Sequence, residues 1–297
     1  MGYLVIALAT LLAFNGEKAK EYDLENVMVF TYAPFLNYDF TSDDGTDLQL
    51  APTSSQIAGL SVKQKSFTYA FGYQQKDKNR SDSQRTNFFD IQIATDFDKI
   101  LATAYYQNYQ GFYVNEDGII NINKQLAISS VTYGLNLRYF TKEDYDLGSS
   151  VLSDKKDRKS DYSTFHSVYA NSTKFRNDSE LFQKEGLETL SGLRQMNVVN
   201  FGYEYGISGT YNFLWMRFTG LLSVGYNLHN IHLEKDESIN EVNASFSTSA
   251  FIDIGLLDLE STSVGISAKT VNMEFEHKDI TVDQTRALAT LYLRYFF

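Results

Sequence analysis

The sequence predicts an all-β fold, a single antiparallel transmembrane up-and-down β-barrel of about twelve strands. Apolar and polar side chains alternate along one stretch after another from residue 56 onward, and this is the period of a strand. Several stretches run to about 15 residues, whereas strands of soluble proteins usually have about five or six. Aromatic residues make up 15% of the chain and there are only 2 prolines, which suits long strands.

The N-terminus predicts an export signal. The apolar run YLVIALATLLAF at residues 3–14 gives way to the polar NGEKAKEYD. The run is shorter than the roughly 20 apolar residues that a membrane-spanning helix needs, and its length is typical of a secretory signal peptide. We therefore expect a signal peptide at 1–19 and a barrel at 20–297, with a short buried strand or helix as the alternative for the apolar run.

The clearest predicted strand is WMRFTGLLSVGYNLH at residues 215–229, in which two faces separate. One face carries large apolar side chains, at Met216, Phe218, Leu222, Val224, Tyr226 and Leu228. The other carries mostly polar ones, at Trp215, Arg217, Thr219, Ser223, Asn227 and His229. The same alternation recurs at 66–74, 88–95, 130–140, 196–212 and 242–256.

A soluble β-sandwich would also alternate, with its apolar faces inward. Three features favour a transmembrane barrel instead. The strands are long, their polar faces are rich in Gly, Ser, Asn and Thr, and Tyr and Phe occur near the ends of the apolar faces. In a membrane barrel the apolar faces contact lipid, the interior is polar, and aromatic side chains lie at both interfaces.

Connectors predict the orientation of the barrel, because long polar segments alternate with tight joins. The long ones are 41–47, 75–85, 114–125, 234–241 and 276–283, and the tight ones are 63–65, 96–99, 141–144, 211–214 and 257–260. Outer-membrane barrels have short periplasmic turns, longer outer loops and an even number of strands. We therefore expect the bacterial outer membrane, with both termini in the periplasm and every long connector outside.

These segments give twelve strands, with ten or fourteen as alternatives. A long irregular connector is expected at 154–195, either as a polar outer loop with a turn of helix or as a segment that folds over or into the barrel. The predicted strands are roughly 25–40, 48–63, 65–75, 87–97, 99–114, 127–140, 144–153, 196–212, 214–234, 241–257, 260–276 and 283–297.

The C-terminal stretch ATLYLRYFF predicts a closing strand. Its apolar face ends on Leu291, Leu293, Tyr295 and Phe297. A terminal Phe with an aromatic residue two positions earlier resembles the signal by which the bacterial barrel-assembly machinery recognises its substrates. The resemblance implies that this machinery is a partner of the chain through residues 291–297.

A longer resemblance covers roughly residues 48–165. The segments at 48–74, 88–114 and 129–151, with the motif YYQNYQGFY at 105–113, resemble an uncharacterised family of bacterial outer-membrane barrel proteins, a domain of unknown function. The family implies a location in the outer membrane. It implies no activity, cofactor or catalytic residue.

Residues that could carry chemistry do not form a competent set in the sequence. Outer-membrane phospholipases use Ser, His and Asn, and His166, Ser167 and Asn171 lie near one another in the sequence, but His166 and Ser167 are adjacent and would point to opposite faces of a strand, so the serine has no base beside it. His229 and His232 are three apart, a spacing that also separates them on a strand. There are no cysteines. We therefore expect no catalytic residue, no metal site and no cofactor.

The net charge argues against nucleic acid as a partner, and the charged residues on the polar faces make the barrel interior the candidate site. A net charge of −11 is opposite in sign to that of a nucleic-acid-binding protein. The polar faces carry charges of both signs at Asp90, Arg138, Glu204, Arg217, Asp253, Lys269 and Arg294.

These seven residues are predicted to line the lumen. The leading hypothesis is a narrow pore or small-solute transporter embedded among outer-membrane lipid and lipopolysaccharide. The alternative is a non-conducting structural or surface-binding barrel that acts through its outer loops, and a lipid-modifying enzyme ranks third.

Overall fold

The computed structural model describes residues 19, 22–43, 45, 47–52, 57–74, 86–116, 119–143, 145, 160–177, 195–233, 238–255, 262–277 and 280–297. The predicted signal peptide lies outside this part of the chain, apart from Ala19. No helix within the described ranges is long and apolar enough to cross a membrane.

Thirteen strands make up nearly all of the described chain. The long runs of alternating and β-branched side chains form strands of up to 22 residues. Their bounds are β1 Leu24–Ser42, β2 Asp47–Ala51, β3 Ile57–Gln64, β4 Phe67–Gln74, β5 Asn87–Phe97, β6 Ile100–Glu116, β7 Ile119–Phe140, β8 Asp161–Asn177, β9 Gln195–Phe213, β10 Met216–Leu233, β11 Ser238–Gly255, β12 Thr262–His277 and β13 Ile280–Phe296.

The strands form one closed antiparallel barrel, which confirms the predicted all-β class. From β3 to β13 each strand pairs with the next along the chain. β13 then pairs with β1 from Asn26↔Phe296 to Ser42↔Ile280, and this pairing closes the ring. The backbone N–H of Phe297 also donates to the carbonyl oxygen of Glu25, at 3.0 Å, so the seam is bonded to the last residue.

β2 and β3 together occupy one position in the wall. β1 pairs with β3 up to Tyr32↔Ile57 and with β2 from Tyr38↔Leu50. Tyr32 and Tyr38 are six residues apart on β1, whereas their partners Ile57 and Leu50 are seven residues apart. The partner side therefore has one extra residue, which interrupts the ladder. Pro52 follows β2 directly and cannot donate a ladder hydrogen bond. With β2 and β3 counted as one strand, the wall has the predicted twelve strands.

The two ends of the barrel differ, and we name them by the termini. The proximal end holds both ends of the described barrel, at Leu24 and Phe297, and the turns after β3, β5 and β9. The distal end is the opposite one. There β2 also pairs with β6, from Gln49↔Asn115 to Ala51↔Tyr113, beyond the ends of the short β4 and β5. The wall therefore narrows at the distal end.

One prediction about the middle of the chain was wrong, and another falls almost entirely outside the described residues. A strand, β8, runs through the predicted irregular connector 154–195 and pairs with both β7 and β9. The predicted strand 144–153 is not supported at Tyr145, and its other residues lie outside the described ranges. β8 forms here because apolar and polar side chains alternate in YSTFHSVYA, as they do in the other strands. The stretch before YSTFHSVYA instead carries a run of charged residues.

The position of β8 also shows that the prediction of all long connectors at one end was wrong. The predicted tight join at 141–144 is the start of a 20-residue connection from β7 to β8 at the proximal end. The predicted loop 114–125 is instead a hairpin, because β6 continues to Glu116 and β7 begins at Ile119. Isoleucines at 119, 120 and 122 favour an extended backbone in this stretch.

Inward and outward faces alternate along each strand, and the predicted separation of faces is confirmed for β10. Arg217, Ser223 and Asn227 are buried in the interior, whereas Leu222 and Val224 are exposed on the outer face. Over the proximal part of the barrel the outer face is apolar and the interior is largely polar.

At the distal end this polarity reverses. Apolar side chains fill the interior there, at Tyr38, Phe40, Leu48, Leu50, Phe112, Ile128, Phe175, Met196, Val198, Ile231 and Val282. A second, smaller apolar cluster lies in the interior at the proximal end, at Ala94, Leu101, Phe140, Tyr145, Phe165 and Leu221.

Candidate functional site: the barrel interior

Six of the seven predicted lumen residues have described side chains, and all six point inward. Asp90, Glu204, Arg217 and Arg294 are buried, Arg138 is half-buried, and Lys269 is exposed to the lumen. The side chain of Asp253 lies outside the described part. Its backbone pairs with Arg217 on β10 and Gly265 on β12, in the inward-facing row of β11.

Four aromatic side chains meet in the interior near the distal end, and we name Tyr38, Phe40, Phe112 and Phe175 the aromatic plug. The ring of Tyr38 lies 5.5 Å from that of Phe175 and 5.7 Å from that of Phe112. The rings of Phe112 and Phe175 are 6.5 Å apart. Tyr38 belongs to β1 and Phe175 to β8, strands that lie across the ring from each other. These side chains therefore meet across the lumen.

A hydrogen bond fixes the plug to the opposite wall. The hydroxyl of Tyr38 and the hydroxyl of Ser130 on β7 are 2.8 Å apart. Both side chains are buried, so this bond satisfies two polar groups in an otherwise apolar layer. The plug is thus held by packing and by a directional contact.

On the proximal side of the plug, Asp90 is the centre of a cluster of polar side chains. Its Oδ2 accepts hydrogen bonds from the Tyr32 hydroxyl at 3.1 Å, Gln92 Nε2 at 2.9 Å and Gln107 Nε2 at 3.5 Å. Its Oδ1 is buried and has no hydrogen-bond partner among the described residues. Gly72, opposite Asp90 in the ladder, leaves room for the Tyr32 hydroxyl, because a Cβ there would lie 2.7 Å from that oxygen.

Basic side chains face this cluster from the other side of the chamber. Arg286 on β13 donates from Nη2 to the Thr132 hydroxyl at 2.7 Å, and Thr132 in turn contacts Thr173 at 3.0 Å. Lys269 interacts electrostatically with Asp90, Glu204 and both neighbouring arginines, Arg138 and Arg286. The middle of the barrel is therefore a polar chamber with charges of both signs.

Glu204 and Arg138 occupy the side of the chamber formed by β7 to β10. Glu204 Oε2 accepts a hydrogen bond from the Ser223 hydroxyl at 2.9 Å. The guanidinium carbon of Arg138 lies 4.6 Å from the centre of the Phe165 ring, a cation–π contact. Both charges are thus held against the wall by neighbours on adjacent strands.

The proximal end of the interior carries the remaining charges. Arg217 Nε donates to Asn212 Oδ1 at 3.1 Å, and the Arg294 guanidinium lies 5.0 Å from the Tyr292 ring. Lys63, which is buried, contacts Asp96 at 3.3 Å and Glu25 at 3.1 Å. The contacts of Arg217 and Lys63 join β10 and β3 to other strands near the proximal end of the barrel.

Tyr145 enters the interior from the connection between β7 and β8. It is buried, its ring lies 4.9 Å from that of Phe140, and its hydroxyl donates to the Ser208 hydroxyl at 2.8 Å. Tyr145 of the proximal connection therefore packs inside the barrel, a position that the predicted tight turn could not reach.

The side chains considered for catalysis do not meet. His166 is exposed on the outer face, where its Nδ1 lies 2.7 Å from the Tyr203 hydroxyl. Ser167 points inward and donates to Asn136 Oδ1 at 3.2 Å. His229 is buried inside and His232 is exposed outside. The opposite orientations expected from the spacing are confirmed for both pairs.

Sequence reasoning missed the plug, Lys63 and Arg286. For the plug the signal was present, because VMVFTYAPFLNYDF at residues 27–40 is apolar on both faces of the predicted strand, as expected for a strand that is covered on both sides. Arg286 shares the inward parity of Arg294, so extending that alternation would have found it. The ion pairs of Lys63 depend on pairing between distant strands and leave no local signal.

The residues of the proposed assembly signal lie together on the outer face. Leu291 and Tyr295 are exposed there, Leu293 and Phe297 are half-buried, and the rings of Tyr295 and Phe297 are 5.1 Å apart. The intervening Tyr292, Arg294 and Phe296 are buried inside.

Sequence comparison places the chain in a family. Residues 18–297 match the family described as "Domain of unknown function (DUF4421)", and the chain belongs to that family. The match is longer than the resemblance at 48–165. No curated protein matches the chain.

Solved structures with a similar shape include three outer-membrane proteins. Outer membrane protease OmpT from Escherichia coli is 9% identical with a TM-score of 0.39, and 93% of this chain and 97% of that chain are covered. An outer membrane channel from Pseudomonas putida F1 is 7% identical with a TM-score of 0.38, with 93% and 98% covered. Ail, the attachment invasion locus protein of Yersinia pestis, is 11% identical with a TM-score of 0.27, with 91% and 99% covered.

Proposed function

We propose that this member of the DUF4421 family is an integral bacterial outer-membrane β-barrel whose interior is closed at rest, and that it acts through the distal part, which projects beyond the membrane. This is the non-conducting alternative of the sequence analysis. The observation that carries it is the contact of Tyr38 with Phe175 across the lumen.

The apolar outer face supports insertion into a bilayer. On β9 the outward side chains from Phe201 to Tyr211 are all large and apolar or aromatic, except at Gly209. Ten residue steps span about 33 Å along a strand, and a tilt of 35–45° reduces this to about 25 Å, the height of the apolar band of membrane barrels.

Aromatic side chains at the proximal end support the position of one interface. They are exposed on the outer face where the strands end, at Phe67, Phe97, Tyr139, Tyr162, Tyr211 and Phe213. Amphipathic rings of this kind prefer the level of the lipid headgroups. If both termini lie in the periplasm, as expected from the sequence, this is the periplasmic interface.

The reversal of polarity supports a projecting distal part. Beyond the apolar band the outward positions are polar, for example Asp39, Lys174, Asn197 and Asp283, while the interior is apolar. That arrangement is the one a barrel needs in water, where apolar side chains are buried inside. The distal part is therefore suited to the aqueous space outside the membrane.

A pore or small-solute transporter is the second candidate, and the polar chamber favours it. Asp90, Glu204, Lys269 and Arg286 would provide a path for small polar solutes. Such a path requires the plug to move, because its four rings are at most 2% exposed. In this candidate the plug is a gate.

No catalytic role is part of the proposal. A Ser–His pair must lie within hydrogen-bonding distance to activate the nucleophile. His166 and Ser167 lie on opposite sides of the wall, so the pair does not provide one.

Conductance tests the proposal. We expect the folded protein to show no current steps in a planar bilayer, and the double variant Tyr38→Ala/Phe175→Ala to show discrete steps, because it removes two of the rings that meet across the lumen. Phe201→Ala/Tyr226→Ala removes two rings from the outer face and should stay silent. Gel mobility before and after heating shows that each variant is folded.

Discrete, ion-selective steps from the unaltered protein would contradict the closed interior and favour the pore. If only the plug variant conducts, the interior is closed by these rings. Phe112→Ala alone provides a milder variant should the double one fail to fold.

A further inference from the structure

The outer face of β7 to β10 carries a polar sector just beyond the apolar band, on the distal side. On β8 the outward side chains change from Val168 and Ala170 to Ser172, Lys174 and Arg176. If the barrel lies in the membrane as proposed, the two cations are at the level of the outer-leaflet headgroups. This inference rests on that part of the proposed function.

Hydrogen-bond donors are aligned across neighbouring strands in this sector. Lys174 pairs with Asn197 on β9, and Asn197 pairs with His232 on β10. Arg176 lies one outward position further, opposite Gln195. Directly paired residues have Cβ atoms about 5 Å apart, so one ligand group can contact several of them. We name Lys174, Arg176, Asn197 and His232 the basic sector.

The amide of Asn197 is oriented for an acceptor. Its Oδ1 accepts a hydrogen bond from the Ser172 hydroxyl at 2.9 Å. This contact uses the oxygen, and Nδ2 is the donor end of the same amide. The sector thus combines two cations, an amide N–H group and an imidazole.

The charge of the sector contrasts with the rest of the molecule. The chain carries a net charge of −11, and on the other side of the distal end Asp39, Asp283 and Glu274 are paired in a row across β1, β13 and β12. Among the described outward side chains of β7 to β10 beyond the apolar band there is no carboxylate. The described outward side chains are therefore basic on this side of the distal end and acidic on the other.

We propose that the basic sector binds the phosphate groups of lipopolysaccharide in the outer leaflet. The outward Val168 and Ala170 continue down β8 toward the centre of the band and provide a surface for acyl chains below the headgroup. A lipid that is anionic at the headgroup and apolar below it matches both parts of this strand. Each basic residue near an anionic membrane surface contributes about fivefold to binding.

Titration of the folded protein with fluorescent lipid A tests the proposal. Lys174→Ala/Arg176→Ala should weaken binding of bis-phosphorylated lipid A by about 25-fold, since two cations are lost. Monophosphoryl lipid A should bind the unaltered protein more weakly than the bis-phosphorylated form. The control Asn87→Asp/Gln110→Glu makes the same change in net charge at an outward pair on β5 and β6, and should bind as the unaltered protein does.

Equal affinities of the Lys174→Ala/Arg176→Ala variant and the unaltered protein would overturn the assignment. So would competition by millimolar inorganic phosphate that is as strong as competition by the lipid, because it would identify free phosphate as the ligand. Insertion into vesicles is measured in parallel by heat-dependent gel mobility. A protein that does not insert refutes the membrane proposal, whereas one that inserts without binding lipid A refutes only this inference.

Discussion

Inward-facing aromatic rings lie over glycines of the neighbouring strand, and these contacts shape the interior residue by residue. A ring and a glycine are direct partners in the ladder in five cases, and a Cβ at each glycine would lie within 2.1–2.6 Å of the ring. The pairs are Phe30 with Gly59, Tyr105 with Gly134, Phe165 with Gly206, Tyr169 with Gly202, and Tyr292 with Gly265. The absence of a side chain lets each ring lie flat against the wall and leaves the chamber open.

Gly202→Ala tests this packing. The new Cβ would lie 2.1 Å from Tyr169 Cζ, so the ring must move. We expect a loss of about 1–3 kcal/mol in the free energy of unfolding, typical of overpacking, measured by urea unfolding in lipid vesicles. Gly220→Ala is the matched control, because no atom lies within 4 Å of its Cβ position. Equal stabilities of the two variants would show that the Tyr169 ring does not depend on Gly202.

Lys63→Met tests the buried ion pairs. Lys63 is 1% exposed, and its removal leaves Asp96, itself 9% exposed, without this cation. Breaking a buried pair from one side costs about 3–5 kcal/mol, which unfolding in urea would reveal. Lys65→Met removes a pair with Asp23 that is 69% and 56% exposed, and should cost about 0–1 kcal/mol. A small effect of both would mean that water reaches Lys63.

At the scale of elements, alternation predicted the strands that have one apolar and one polar face, such as β9 and β10. Alternation failed as a signal where the two faces of a strand have the same polarity. β1 is apolar on both faces over much of its length, because its inward side chains form part of the plug. The sequence of segment 141–160 has no alternation, and only the pairing of β7 with β8 shows that the two ends of this segment lie at the proximal end.

The buried position of Tyr145 predicts that the proximal connection contributes to stability. Tyr145→Phe removes the bond to Ser208, whose side chain is fully buried, and should cost about 1–3 kcal/mol in unfolding free energy. Tyr145→Ala also removes the packing on Phe140 and should cost about 3–5 kcal/mol. Urea unfolding measures both. Stabilities equal to that of the unaltered protein would place Tyr145 outside the barrel in solution.

For the whole molecule, the decisive property is the reversal of polarity along the barrel axis. The proximal part is apolar outside and the distal part is apolar inside. Because the two parts share the same strands, the boundary between them defines how far the barrel can enter a bilayer. The proposed membrane position and the proposed lipopolysaccharide site both depend on this boundary.

Lysine substitutions on β9 test the boundary. Ile207→Lys places a cation in the apolar band and should cost about 2–4 kcal/mol in vesicles, whereas Gln195→Lys lies beyond the band and should cost about 0–1 kcal/mol. Both positions face outward on the same strand, so strand pairing is unchanged. The comparison is made by urea unfolding in vesicles and repeated in detergent, where the difference should shrink. Equal costs in vesicles would argue against a bilayer around Ile207.

The sequence by itself determined the all-β class and the inward orientation of residues such as Asp90, Glu204 and Arg294, because alternation is a local property of a strand. Only the tertiary structure decided which side chains meet across the interior. The plug joins Tyr38 to Phe175, which are far apart in the chain and meet only because the ring closes. Contact across a lumen depends on the curvature and pairing of all the strands together, and no single stretch of sequence records it.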